Sequence, residues 1–172
     1  DVANNSMYTH DVSGTDDTAA QNTAYGFTAM DAITTGDNNT AIGYNAGTAL
    51  NTGNQNTIVG SLAGDALTTG SFNVAVGNNA LSAEDGHGRN VAVGYNTLNA
   101  QNAGTDAYNV AVGSNVGQYI TTGLANTLVG GLAGDALTTG GANVAVGYQA
   151  LSTENAHGYN TAIGHRALKT QD

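Results

Sequence analysis

Asn73-Val74-Ala75-Val76-Gly77 recurs unchanged at 90–94, 109–113 and 143–147. Close variants begin at Asn22, Asn39, Asn56, Asn126 and Asn160. The step is 17 residues throughout, except from Asn90 to Asn109, where it is 19. Self-similarity at a fixed short period is the signature of a solenoid or a fibre, in which each unit is one layer.

With the Asn of each unit as position 0, position 1 is Thr or Val in all nine units. Position 3 is Tyr25 once and otherwise Val or Ile. Two β-branched residues, two apart, share one face of a short strand. Position 2, Ala except for Ile58 and Leu128, faces the other way. A strand apolar on both faces is expected to be covered on both. The reading here sets the position 2 face against a partner chain.

Position 4 is Gly26, Gly43, Gly60, Gly77, Gly94, Gly113, Gly130, Gly147 and Gly164. Gly permits positive φ at a corner, and Asn tolerates it better than most residues. The nine asparagines, Asn22, Asn39, Asn56, Asn73, Asn90, Asn109, Asn126, Asn143 and Asn160, are therefore read with these glycines as structural corners. Stacked coils would bond the amides side chain to side chain in a ladder.

The second half of the unit shows a compensation. Gly at position 8 goes with an aliphatic residue at position 11: Gly47 with Leu50, Gly64 with Leu67, Gly117 with Ile120, Gly134 with Leu137. Leu at position 8 goes with a polar residue: Leu81 with Glu84, Leu98 with Gln101, Leu151 with Glu154, Leu168 with Gln171. Two exchangeable positions imply one packing slot that cannot be overfilled. The two kinds alternate in pairs, so the larger repeat is 70 residues, three steps of 17 and one of 19. The longer step is read as a lengthened outer loop near 104–108.

A coil of two or three short strands suits 17 residues, and no unit carries an apolar 3.6-residue period. The fold class is thus all-β, a parallel β-solenoid of nine coils over 22–172. Residues 1–21 are read as a degenerate first coil, with Asn5 in phase but Thr9 in place of the corner Gly. Ten stacked coils would span roughly 45–50 Å.

Composition sets limits on function. Ile, Leu, Val and Phe number 31 of 172 residues, so the core is thin. There is no Cys, hence no disulfide framework, and no Pro to interrupt a ladder. Three cations, Arg89, Arg166 and Lys169, face 13 acids, which argues against nucleic-acid binding. No apolar run is long enough for a membrane helix, so no membrane insertion is expected. No charged segment followed by an apolar one opens the chain, so no signal peptide is expected, and the chain reads as a piece of something longer.

The chemistry-bearing residues are sparse. His87 and His157 are 70 apart, four coils, roughly 19 Å, too far to share an ion. They are read as loop histidines, and no metal or cofactor is expected. Glu84 with Asp85 has Glu154 with Asn155 as its counterpart. A duplicate that loses one carboxylate argues against a glycosidase pair. No Gly-x-Ser-x-Gly is present, so no enzyme is expected. Single acids such as Asp65 and Asp135 are read as solvated corners. Tyr44, Tyr95 and Tyr148 at position 5, with Tyr108 and Tyr159 just before an Asn, are candidate glycan contacts.

The pattern Asn-(Thr/Val)-Ala-(Val/Ile)-Gly, followed by a short Ala-Leu or Ala-Gly segment, resembles the head repeats of YadA-like trimeric autotransporter adhesins. It also resembles repeats of trimeric phage tail fibres, whose Asn-Thr-Ala-Val-Gly-Tyr-Gln-Ala-Leu form is nearly matched from Asn143 to Leu151 and from Asn160 to Leu168. The likeness covers 22–172. It implies a left-handed β-roll, three chains around one axis, in a virion fibre or on an extracellular surface. Its partners would be two further copies, other fibre or virion proteins, and a host glycan or receptor. The unit is longer than the adhesin head repeat, which favours a phage or viral fibre. The alternatives are a self-assembling extracellular filament and an ice-binding solenoid, the latter weakened by Val interrupting the Thr row.

Overall fold

The computed structural model describes residues 6–8, 18–153 and 155–169. The readings on Asn5, Thr9, Glu154 and Gln171 fall outside these residues. Ten strands form one parallel sheet in chain order: β1 (Met7–Tyr8), β2 (Thr23–Tyr25), β3 (Thr40–Ile42), β4 (Thr57–Val59), β5 (Val74–Val76), β6 (Val91–Val93), β7 (Val110–Val112), β8 (Thr127–Val129), β9 (Val144–Val146) and β10 (Thr161–Ile163). Equivalent positions pair across every rung, for example Val74 with Val91 and Ala75 with Ala92. The 19-residue step leaves this register intact, since Val91 still pairs with Val110. The molecule is a parallel β-solenoid, and no helix occurs among the described residues.

Each coil from β2 on has a single three-residue strand rather than two or three strands. The remainder is a chain of turns that stack as faithfully as the strand. Their N–H groups donate across coils, as Gly47 to Ala63 O and Gly64 to Ala80 O (2.9 Å each), and Leu81 to Thr97 O (3.0 Å). The turns need left-handed backbone at three places per coil. Position 8 has φ between 47° and 57° whether it is Gly64, Leu81, Leu98 or Leu151. The residue before each Asn is also left-handed, from Gln21 at 60° to Tyr159 at 63°. The Asn itself is not, contrary to its reading as a positive-φ corner. Gly at position 4 has a second reason to be Gly. A Cβ on Gly77 or Gly94 would strike the carbonyl of the glycine one coil on.

The asparagine works through its side chain. Asn39 N–H donates to Asn22 Oδ1 (2.8 Å), and Asn56 N–H to Asn39 Oδ1 (2.9 Å). The series continues through Asn160 N–H to Asn143 Oδ1 (3.0 Å). The side-chain nitrogens from Asn22 to Asn143, Asn90 excepted, close their own coils, as Asn39 Nδ2 to Gly53 O (2.8 Å) and Asn126 Nδ2 to Gly140 O (3.0 Å). The dominant link is therefore side chain to backbone. Direct amide-to-amide bonds join only some neighbours, such as Asn56 with Asn39.

The faces of the strand are opposite to the expectation. Position 2, from Ala24 to Ala162, is buried inside its own coil at 0–1% exposure. Positions 1 and 3 point outward and are partly or fully exposed. The reason is cross-section: the coil interior is narrow at the sheet and admits Ala, whereas the β-branched side chains fit outside.

The shared slot is visible directly. A Cβ built on Gly64 would lie 2.9 Å from Leu67 Cδ1, and one on Gly134 2.9 Å from Leu137 Cδ1. A third member completes it. Ile58 and Leu128, the large residues at position 2, lie against the space left by paired glycines: Ile58 Cδ1 comes 2.8 Å from a Cβ on Gly47, and Leu128 Cδ1 3.0 Å from one on Gly117. Polar residues at position 11 are buried too, since the slot points inward: Glu84 and Gln101 are both at 0% exposure. Leu67→Ala should cost about 2–5 kcal/mol, as buried Leu truncations do. Adding Gly64→Leu should recover part of this, because Leu already adopts the same backbone in alternate coils. Thermal melts check it; a double variant no more stable than the single would refute the common slot.

Candidate functional site

Three features of the surface could contact something else: the outward face of the sheet, the aromatic ridges and the loop at 84–89. On the sheet face, β-branched residues run coil after coil. Ile42, Val112, Val129 and Ile163 are exposed, and Val74, Val76, Val91 and Val93 are half-buried. A parallel sheet is ordinarily covered on both faces. Here the chain covers one.

The tyrosines form two ridges rather than one site. After the strand, at position 5, Tyr44 stacks on Phe27 with ring centroids 6.2 Å apart and planes 6° from parallel. Further along, Tyr148 meets His165 at 5.6 Å. Tyr95, on the same ridge, is exposed between Asn78 and Ser114, its counterparts in the adjoining coils. Before the strand, the Arg89 guanidinium lies 4.7 Å from the Phe72 ring and 5.7 Å from the Tyr108 ring. Arg89 also donates to Asp106 Oδ2 (2.8 Å), in the lengthened loop. That ion pair holds the Asp106 carboxyl below the ordinary range. Tyr159 is 91% exposed and borders an open cleft of about 410 Å³ lined by Leu124, Ala125, Gly141, Ala142, Ala156 and Gly158. These rings offer the flat apolar surface that sugar faces stack on, without a ring of polar groups converging on one point.

The loop at 84–89 concentrates the titratable groups. Glu84 is fully buried, and its Oε1 accepts the His87 N–H (3.1 Å). His87 Nδ1 lies 3.5 Å from the same oxygen. Glu84 Oε2 and His87 Nδ1 are both sealed from solvent without a hydrogen-bond partner. One ligand atom each from Glu84, Asp85 and His87 fall within 4.8 Å of one another. Burial pushes the Glu84 carboxyl up, partly offset by the His87 N–H. Sequence reading missed this site because it weighed Glu84 and Asp85 as a catalytic pair. The phase of position 11, set by Leu50 and Leu67, was the signal that Glu84 points inward.

Asp65 and Asp135 are not solvated corners. Each is half-buried, with Oδ1 enclosed and unpartnered. Burial raises both carboxyls, against hydrogen bonds from their own N–H and those of Ala66 and Ala136. Among the described residues no helix is long and apolar enough to cross a membrane. Comparisons with protein-family models, with curated proteins and with solved structures found no match to this chain.

A carboxyl raised in the folded state holds its proton more tightly there than in the unfolded chain. Stability then increases as pH falls through the raised value, and levels off below the ordinary Asp value near about 4. The pair Asp65→Asn, Asp135→Asn should therefore narrow the gain in melting temperature between pH 7 and about pH 4.5. Melts across that range in chelator check it; an unchanged gain would assign the pH response to other groups.

Proposed function

We propose that this chain is the structural and adhesive segment of a trimeric surface fibre, of the phage or virion tail-fibre kind. In it, three left-handed coils would pack their outward sheet faces around a common axis. The observation that carries the reading is the unpartnered outward face: a column of Val, Ile and Thr running from Thr23 to Ile163, with Tyr25 its one aromatic member. Water contact along such a column is unfavourable by about 25 cal/mol per Å² of apolar surface, and threefold packing would remove it. The likeness of the repeat to trimeric fibre and adhesin heads supports the same arrangement. The Thr row, broken by Val74, Val91, Val110 and Val144, gives no flat array for ice.

Binding would reside in what repeats three times around such an axis: the tyrosine ridges and the loops at 84–89, 103–108 and 154–159. Three copies of a weak contact, on a host glycan or receptor, sum to useful avidity. The reading is one of attachment without catalysis. The Glu84–Asp85 carboxylate pair is not kept in the duplicate unit, where Asn155 stands in place of Asp85, and the regular polar positions are occupied in holding coils together.

Native mass spectrometry of the intact chain should give three times the monomer mass. Val76→Glu with Val93→Glu should yield a folded monomer, since those side chains face outward. Ala92→Glu should instead unfold the coil, because it buries a charge inside a single chain at a cost of several kcal/mol. Replacing loops 103–108 and 155–159 by the Thr-Thr-Gly turn of the other coils should lower glycan or host-cell binding while the trimer persists. A stable wild-type monomer would overturn the assembly, and turnover of a polysaccharide would overturn the non-catalytic reading.

A further inference from the structure

Among the described residues, the cluster of Glu84, Asp85 and His87 is the one place where three such side chains bring ligand atoms within 4.8 Å of one another. Position 11 in the next coil is Gln101, and it is fully used. Gln101 Oε1 accepts from Asn109 Nδ2 (2.7 Å), and Gln101 Nε2 donates to Thr121 O (3.1 Å). Glu84 occupies the same slot, yet the equivalent amide, Asn90 Nδ2, finds no acceptor, and Glu84 Oε2 finds no donor. The carboxylate is turned instead toward its own loop, where it meets His87. A buried carboxylate whose Oε2 finds no donor, with an unpartnered imidazole nitrogen 3.5 Å from its Oε1, leaves a demand for positive charge or a proton.

We propose that Glu84, Asp85 and His87 bind one divalent transition-metal ion per chain, of the zinc class. The geometry suits it. Two ligands at about 2.1 Å from a tetrahedral centre stand about 3.4 Å apart, and Glu84 Oε1 and His87 Nδ1 are separated by 3.5 Å. Asp85, exposed, has a carboxylate oxygen within 4.8 Å of the Glu84 and His87 ligand atoms and supplies the third ligand. Water completes the fourth position. An imidazole nitrogen beside carboxylates selects zinc, nickel or cobalt over calcium and magnesium, which take oxygen ligands. The cation would also reverse the penalty of burying the Glu84 carboxylate. The backbone carbonyl of His87 already holds Asn73 Nδ2 (3.2 Å), so the ion would clamp the loop to the coil ladder. The duplicate segment, 154–157, reads Glu-Asn-Ala-His and lacks the Asp. It is an internal control within one molecule. The site lies within one chain and does not depend on the trimer.

The test is calorimetric titration of the full untagged chain with Zn²⁺, and with Ca²⁺ in parallel, alongside thermal melts. The expected result is one Zn²⁺ per chain, a higher melting temperature with Zn²⁺, and no saturable Ca²⁺ binding. His87→Ala should weaken Zn²⁺ at least about tenfold and abolish the thermal shift. It removes a partly exposed side chain, so the fold should survive. Asp85→Asn should weaken Zn²⁺ by a smaller factor, and His157→Ala should change nothing. Absence of saturable Zn²⁺ binding would overturn the proposal. So would binding untouched by His87→Ala, or one ion per three chains.

Discussion

Each coil carries a buried asparagine whose side-chain oxygen takes a hydrogen bond from the next coil's backbone. Its side-chain nitrogen closes a bond to a carbonyl 14 residues on in its own coil, as Asn22 Nδ2 to Gly36 O (2.7 Å). A net hydrogen bond contributes about 0.5–1.5 kcal/mol, and orphaning its buried partner costs about 1–3 kcal/mol. The amide therefore measures two things together: the spacing between coils and the length of the coil itself. A coil of another length misses the carbonyl, which accounts for a 17-residue period kept at eight-tenths or more of the steps. The one 19-residue coil shows the consequence. Asn90 Nδ2 has no acceptor there, while Asp106 reaches back from the lengthened loop to Gly88 N–H (3.0 Å) and Arg89.

With the perimeter held by hydrogen bonds, the interior is left with a cross-section of nearly fixed size. From the Asn39 coil on it is filled by one large aliphatic group per coil, supplied from position 8 or position 11, with Ile58 and Leu128 topping up where two glycines stack; the Asn22 coil departs from this, with Met30 and Ile33 both buried. This explains how so few large apolar residues suffice. The core is a column one side chain wide, and its stability accumulates by neighbouring layers, as in other solenoids. The same column forces polar residues at position 11 indoors. Gln101 is accommodated by two hydrogen bonds, whereas Glu84 is accommodated only in part. A chemical oddity therefore arises from a packing rule.

The period, the parallel stacking, the strand at positions 1–3 and the exchange between positions 8 and 11 were legible in the sequence, because each is a statement about which residue type recurs where. The direction of the strand's faces was not. Val-Ala-Val is apolar on both sides, so hydrophobicity alone cannot say which side is inside, and side-chain volume decides it for Ala. The single strand per coil was also hidden, because left-handed residues such as Leu81, Arg89 and Tyr108 carry no turn signal of their own. They are held there by coil-to-coil hydrogen bonds. For the candidate sites, the tyrosines were identifiable as exposed rings at two repeat positions, but their contacts with Phe27, Arg89 and His165 were not. The Glu84–His87 contact needed the loop's folded path.

Amide hydrogen exchange followed by NMR tests the asparagine ladder most directly. The account predicts strong protection of the backbone N–H of Asn39, Asn56, Asn73, Asn109, Asn126 and Asn143, and of their side-chain amides, with the Asn90 side-chain amide exchanging faster than the rest. Backbone exchange at these asparagines as fast as at the exposed Thr105 would contradict it.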